Sequence, residues 1–251
     1  MVKRFGNKMV SLLFATIVLV VLWTVAAQIF NKVMLPTPLA VVQAFPTLFG
    51  EDQVLKHVGV SLLRVISGLV ISLILGFGLG VWMGRNKWAN RLFDPIIYLT
   101  YPIPKLALLP ILMVLFGLGE SSKILLIILI IFPQVVLAVR DAVKNIPDNL
   151  YNIYGVLRAN QWQQFKHITL PASAYALLSA SRVSLGIAIS VLFFAETYGT
   201  QWGMGYFIMD AWQRMDYPTM YGAVVVLSLL GLTLFLLIDA VGYLALKWER
   251  K

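Results

Sequence analysis

DNLYNIYGVLRANQWQQFKHITLP, residues 148–171, is a polar island with a long apolar stretch on either side of it. Leu150, Ile153 and Leu157 fall on one face at helical spacing, and Asp148 is placed to cap the start of that helix. Asn160 and Gln163 then form a capping-box pair for a second short helix, whose Trp162 and Phe165 share a side, and Pro171 marks where the next apolar segment begins. The island reads as helix, turn, helix with exposed aromatic side chains. Two uses fit that shape: a docking knob for a soluble partner, or a plain cytoplasmic loop with its apolar face on the lipid headgroups.

The rest of the chain sets the island in a membrane. Of 251 residues, 60% are hydrophobic and 12% charged, and the mean hydropathy is +0.84, a composition solvated by lipid. There is room for about six spans and for no large soluble domain. Uninterrupted apolar runs place them at 9–30, 61–83, 96–116, 124–139, 174–195 and 221–246. The third run carries Pro102, Pro104, Lys105 and Pro110, tolerable only where neighbouring helices or a wet cavity satisfy the freed backbone groups. The fourth is short and can be extended back to Ser122. Lys3, Arg4 and Lys8 precede the first run as in a secretory signal, yet that run is about twice the usual signal length, so a retained span is expected. With no cysteine, disulfides, thiolate metal sites and thiol catalysis drop out together. His57 and His167 lie far apart, which argues against a metal centre.

Basic residues fall on one side of a six-span arrangement: Lys3, Arg4, Lys8, Arg85, Lys87, Arg91, Arg140, Lys144, Arg158, Lys166, Lys247, Arg250 and Lys251. The other side holds Lys32, Lys56, Lys123 and Arg214. This asymmetry puts both termini and the island in the cytoplasm. It also accounts for most of the +9 net charge, leaving no soluble basic face for nucleic acid.

Two outer connections follow from that orientation. In 31–59, prolines at 36, 38 and 46 argue against a continuous helix, and a short helix over Val41–Leu48 is expected on the outer surface or against neighbouring spans. In 197–220, glycines at 199, 203 and 205 permit tight turns among aromatic residues, which suits an outer gate or partner platform, or a plain aromatic belt. Gly76, Gly80 and Gly84 recur at the spacing of close helix approach, as at a dimer seam. They do not form a nucleotide loop, since no Gly-Lys-Ser/Thr follows.

Four segments in order, LPTPLAVVQAF (35–45), SLLRVISGLVISLILGFGLGVWMG (61–84), YPIPKLALLPILMVLFGLGESSKILL (101–126) and the island with its closing ITLP (168–171), make the chain similar to permease subunits of ATP-binding-cassette (ABC) importers. Within that binding-protein-dependent family it most resembles the nitrate, sulfonate, taurine and bicarbonate group. The resemblance implies an all-α integral membrane protein of the type I ABC importer kind: one transmembrane permease domain over 1–251 in a bacterial inner membrane, with a cytoplasmic coupling loop at 148–171. It also implies partners: cytoplasmic ABC ATPase subunits that carry the ATP, a second permease copy, and an extracytoplasmic solute-binding protein. This chain itself would hold no cofactor and catalyse nothing.

Aligned on ITLP, Asn152, Ile153 and Tyr154 stand at the family's Glu-Ala-Ala and Arg158 at its Gly. Spacing is kept while those signature residues are lost. The implied ATPase-coupling residues are Asn152, Gly155, Arg158, Ala159, Trp162, Phe165, Leu170 and Pro171, with Trp162 and Phe165 as anchors. Arg158 in a left-handed turn would cost on the order of 1 kcal/mol, unless the turn slides toward Gly155.

Charges within spans are expensive and mark a pathway, a partner or an exit. Arg64 lies near the outer end of its span and is expected to snorkel. Lys105 sits where the backbone is broken and is a candidate for helping an anion across. Arg182, Gly186 and Glu196 fall near one helical face, a candidate lining of the same route, with a structural salt bridge as the alternative for Arg182. A small anion such as a sulfonate or nitrate would suit these residues. The competing class is an ATP-independent carrier or channel, for which matched broken helices and an internal repeat would be expected. An intramembrane enzyme lacks a nucleophile–base pair or a metal cluster.

Overall fold

The computed structural model describes residues 2–30, 33–50 and 53–246, with side chains from residue 14 onward. The charges of Lys3, Arg4, Lys8, Lys32, Lys247, Arg250 and Lys251 therefore lie outside the described residues. The elements among the described residues are all helical: α1 (Val2–Phe30), α2 (Pro38–Gly50), α3 (Val54–Arg85), α4 (Lys87–Thr100), a 3-10 turn (Lys105–Leu108), α5 (Leu109–Phe116), α6 (Glu120–Lys144), α7 (Asp148–Val156), α8 (Gln161–Gln164), a π turn (Phe165–Thr169), α9 (Leu170–Glu196), α10 (Met204–Gln213) and α11 (Tyr217–Ala245). Among the described residues, α3, α6, the run from α8 through α9, and α11 are long and apolar enough to cross a bilayer, and α4 with the segment Lys105–Phe116 passes the same test as a bent pair, a broken span or a re-entrant loop. Within α1, the stretch whose side chains are described, Phe14–Phe30, is an apolar helix about 25 Å long at 1.5 Å per residue. Trp23 fixes it in place by donating Nε1–H to the Pro36 carbonyl at 3.0 Å and stacking on Tyr221 of α11.

At the centre, α3 and α6 lie close enough that their contact depends on glycine. A Cβ on Gly76 would stand 2.7 Å from Val135 Cγ1, one on Gly80 2.8 Å from the Val136 carbonyl oxygen, and one on Gly84 2.6 Å from Val143 Cβ. The glycine face expected at a dimer seam is thus filled within the chain by the β-branched ridge of α6. Around it Val65, Ile127, Ile131, Val139, Leu185 and Leu192 complete the core.

The other departures from the sequence reading come from proline. The run 96–116 is not one span: α4 begins at Lys87, where Asn86 accepts hydrogen bonds from the Trp88 and Ala89 amides, and ends at Thr100. Pro102 and Pro104 bring no N–H with which to continue the helix, and Pro104 disfavours helical backbone at Ile103, so α4 and the segment Lys105–Phe116 meet at 85°. In the connection after α1, α2 is continuous through Pro46. Pro38 sits in the first turn, where its missing N–H is not needed. Burial of Val41 and Leu48, with Leu48 packed near Ala223 of α11 and Phe207 of α10, offsets the one bond Pro46 removes.

Pro171 does not begin a new span either. The run Gln161–Glu196 is one helix of 36 residues, because the turn before the proline widens: the Leu170 amide reaches back five residues to the Phe165 carbonyl. That wider turn makes room where the ring would otherwise meet the carbonyl four residues back.

Candidate functional site

Three features lie along the bundle: a helical knob where α3 and α6 end, a cleft at the α4–α5 break, and a buried charge network where α6 begins.

In the knob, α7 starts at Asp148 with Pro147 in the capping position, so Asp148 is the first helical residue and makes no side-chain cap. Its carboxylate faces the positive end of the helix instead. α7 ends on Arg158, with φ of +52°. The Arg158 amide donates to the Gly155 carbonyl at 3.0 Å and the Ala159 amide to the Tyr154 carbonyl at 2.9 Å, the paired bonds of a Schellman motif. The left-handed residue is therefore Arg158, and Gly155 stays helical. Asn160 and Gln163 then form the expected capping box, with both reciprocal bonds at 2.8 Å. Two tight caps leave almost no flexible backbone between the short helices. Arg158→Gly should raise stability by about 0.5–1 kcal/mol, since glycine adopts this conformation without the Cβ penalty. A thermal unfolding midpoint at or below that of the parent would contradict this account.

Tyr151 anchors the knob. Its hydroxyl pairs with Thr169 Oγ1 at 3.0 Å, and Arg85 at the end of α3 lies 3.5 Å above its ring. Phe165 packs edge-on against Phe77 and stacks on Trp162. The outward surface is apolar: Leu150, Ile153 and Leu157 are exposed, and Trp162 is 67% exposed. Asn152 and Gly155 are also exposed, and Ala159 is half-buried. Leu170 is partly exposed, and Pro171 lines a second recess of about 500 Å³ with Leu150, Tyr154, His167 and Tyr175.

The candidate pathway residues separate. Lys105 and Gly186 meet across a cleft of about 440 Å³, in which Ile103, Lys105 and Leu106 of the break face Gly186, Ser190 and Val191 of α9. Lys105 Nζ donates to the Thr100 carbonyl at 3.0 Å and to the Tyr101 carbonyl at 3.3 Å, satisfying acceptors at the end of α4. Arg182 lies elsewhere, with its Nε 2.6 Å from Asp239 Oδ1 of α11.

Glu196 is fully enclosed. Its carboxylate accepts from Arg64 Nη1 at 2.8 Å, Ser61 Oγ at 2.9 and 2.8 Å, and the Gly205 amide at 2.9 Å. Gly203, at φ +123°, runs so close that a Cβ there would fall within the carboxylate. Arg64, expected to snorkel, is 1% exposed. It donates also to Glu120 at 2.5 and 2.6 Å, the Trp202 carbonyl at 2.8 Å and Thr200 Oγ1 at 3.2 Å. Lys123 binds the Leu118, Gly119 and Gly199 carbonyls. The loop before α10 is thus held by charges from α3, α6 and α9. Sequence reasoning missed this network and the Asp239 partner. The available signal was opposite charge at similar depth in different spans.

Residues 59–250 match the family described as binding-protein-dependent transport system inner membrane component. The chain is 30% identical over 224 residues to the taurine transport system permease protein TauC of Escherichia coli (strain K12), covering 87% of this chain and 82% of that one. It is 31% identical over 231 residues to the putative aliphatic sulfonates transport permease protein SsuC of Bacillus subtilis (strain 168), covering 91% and 83%. A chain of a bacterial alginate ABC transporter, crystallised with its alginate pentasaccharide-bound periplasmic protein, superposes with a TM-score of 0.66 at 18% identity, over 96% of this chain and 97% of that one. That likeness shows a shared fold, the membrane domain of type I ABC importers.

Proposed function

Because this chain belongs to the family of binding-protein-dependent transport system inner membrane components, we propose that it forms the translocation pathway of an ATP-driven importer for a small solute of the sulfonate or taurine class. Two copies of the chain pair in the membrane. Two cytoplasmic ABC ATPase subunits bind the knobs at 148–171 and carry the ATP, while an extracytoplasmic binding protein delivers solute to the loops around α10. Both termini face the cytoplasm, in keeping with the basic residues that share the knob's end. The work of this subunit is mechanical coupling, and ATP hydrolysis belongs to the partner chain.

The observation that carries this reading is the knob itself: two short helices locked by a Schellman motif and a capping box, apolar on their outward face, and continuous with α9. A coupling element has to pass on displacement without bending, and solvent-exposed Trp162 is the kind of aromatic anchor that dominates interfaces.

The test is extraction of the tagged protein from its native membrane in mild detergent, with the accompanying chains identified by mass spectrometry. An ABC ATPase should be recovered in equal amount. Trp162→Ala should weaken its association by about 2 kcal/mol, some thirtyfold in Kd, without loss of membrane insertion. Recovery of the permease alone, still moving solute in vesicles without ATP, would establish the carrier reading instead.

A further inference from the structure

Lys105 is a cation in a membrane-spanning region, and among the described residues no carboxylate pairs with it. Arg64, Arg140 and Arg182 do have acidic partners: Glu120 and Glu196 for the first, Asp94 and Asp141 for the second, Asp239 for the third. A lysine in an apolar run without an acidic partner needs another source of stabilisation; enclosed Lys123 has it from three backbone carbonyls, whereas Lys105 has only two. The broken turn supplies part of it. Two of the three ammonium N–H groups go to the Thr100 and Tyr101 carbonyls and the Tyr101 ring lies 5.4 Å away, which leaves one donor on a positive charge that lines the 440 Å³ cleft.

The opposite wall is shaped to leave space. Gly186 and Ser190 are exposed on α9, and a Cβ on Gly186 would meet only Phe235 Cζ, at 4.0 Å. No close packing therefore calls for a glycine at 186, and its missing side chain keeps the cleft open. Ile103, Leu106, Ile187 and Val191 make the remaining walls apolar. One fixed cation among aliphatic walls, in a space of this size, fits a small ligand with one charged end.

We propose that this cleft is an anion-selective station on the solute route, taking a singly charged oxyanion head on a short alkyl chain, with the head on Lys105 Nζ and the chain against Ile103, Leu106 and Val191. Its place on a solute route rests on the transport reading. The anion site stands on the cleft.

The absence of cysteine from the whole chain gives a direct test on the full-length permease in membranes. Ser190→Cys introduces a single thiol opposite Lys105. It is reacted with two methanethiosulfonates of similar size, one bearing an ethylsulfonate and one an ethyltrimethylammonium group. In each case the thiolate attacks the sulfenyl sulfur, methanesulfinate leaves, and a mixed disulfide forms. Rates are normalised to those of free 2-mercaptoethanol. The anionic reagent should be favoured over the cationic one by on the order of tenfold. Lys105→Gln should remove the preference and Lys105→Arg should keep it. Propanesulfonate should protect the introduced thiol, whereas propyltrimethylammonium should not, a comparison that needs no lysine variant. A thiol at 190 that neither reagent reaches, or a preference indifferent to Lys105 and unprotected by propanesulfonate, overturns the proposal. ATP-driven uptake is scored separately: anion preference without uptake removes the transport reading and leaves the site, and uptake without anion preference removes the site alone.

Discussion

Arg64→Leu lowers the stability of the detergent-solubilised protein by about 3–5 kcal/mol, the usual result when one partner of a buried ion pair is removed and the other stays behind. Glu196 has no route to water, and without the guanidinium its charge would be met only by Ser61 and the Gly205 amide. The neighbouring acid gives the contrast. Glu120 binds the same arginine with shorter bonds, yet its side chain is half exposed, so Glu120→Gln should cost less than about 1 kcal/mol. Adding Glu196→Gln to Arg64→Leu should recover at least half of the loss, since the amide oxygen still accepts from Ser61 and Gly205 and no buried carboxylate is left without its cation. Thermal unfolding followed by tryptophan fluorescence reads all three. Equal losses from Arg64→Leu and Glu120→Gln would mean that bond length, and not burial, governs the network.

Gly80→Val should destabilise at least as strongly as overpacking does in a rigid core, about 3 kcal/mol, and reduce the yield of monodisperse protein several-fold. Its Cβ would stand 2.8 Å from the Val136 carbonyl oxygen and 2.8 Å from Val139 Cβ. A flexible side chain could swing aside, but a backbone carbonyl in the middle of α6 cannot, so α3 and α6 would have to part. Gly78→Val is the control on the same helix, two residues away, because a Cβ at Gly78 meets nothing within 4 Å. Similar yields of the two variants on size exclusion would show that the α3–α6 seam is looser than its geometry.

What could be read from sequence was what is local. The capping box at Asn160 and Gln163 needs two polar residues three positions apart, and it formed as read. Arg158 in place of glycine marked one of two positions for the turn, Gly155 being the other, and the left-handed backbone falls on Arg158. Proline misled twice in opposite directions. At 102 and 104 two prolines in succession broke the helix more sharply than a span with kinks would suggest. At 171 a single proline was absorbed by a π turn, which no composition or period announces. The glycines of α3 were legible as a close-packing face, but their partner was not, because the face only states that some helix comes near. Arg64 and Glu196 stand 132 positions apart. Their pairing rests on the crossing of α3 and α9, which one sequence does not specify. For the same reason the pathway face read on α9 kept Gly186 in the cleft while Arg182 and Glu196 found partners in neighbouring helices.

The π turn at 165–169 has a mechanical consequence. The helix from Gln161 to Glu196 is about 54 Å long, with Trp162 at one end and at the other a carboxylate pinned by arginine, serine and a backbone amide. A π turn holds one residue more than an α turn. Rewinding it as α would rotate one part of the rod against the other by about 100° and slide it by about 1.5 Å. With the far end clamped, a torque applied at Trp162 would meet this turn before it reached Gly186 or Ser190. The rod's one departure from α-helical winding thus lies beside the knob, and the length that borders the cleft is regular α-helix.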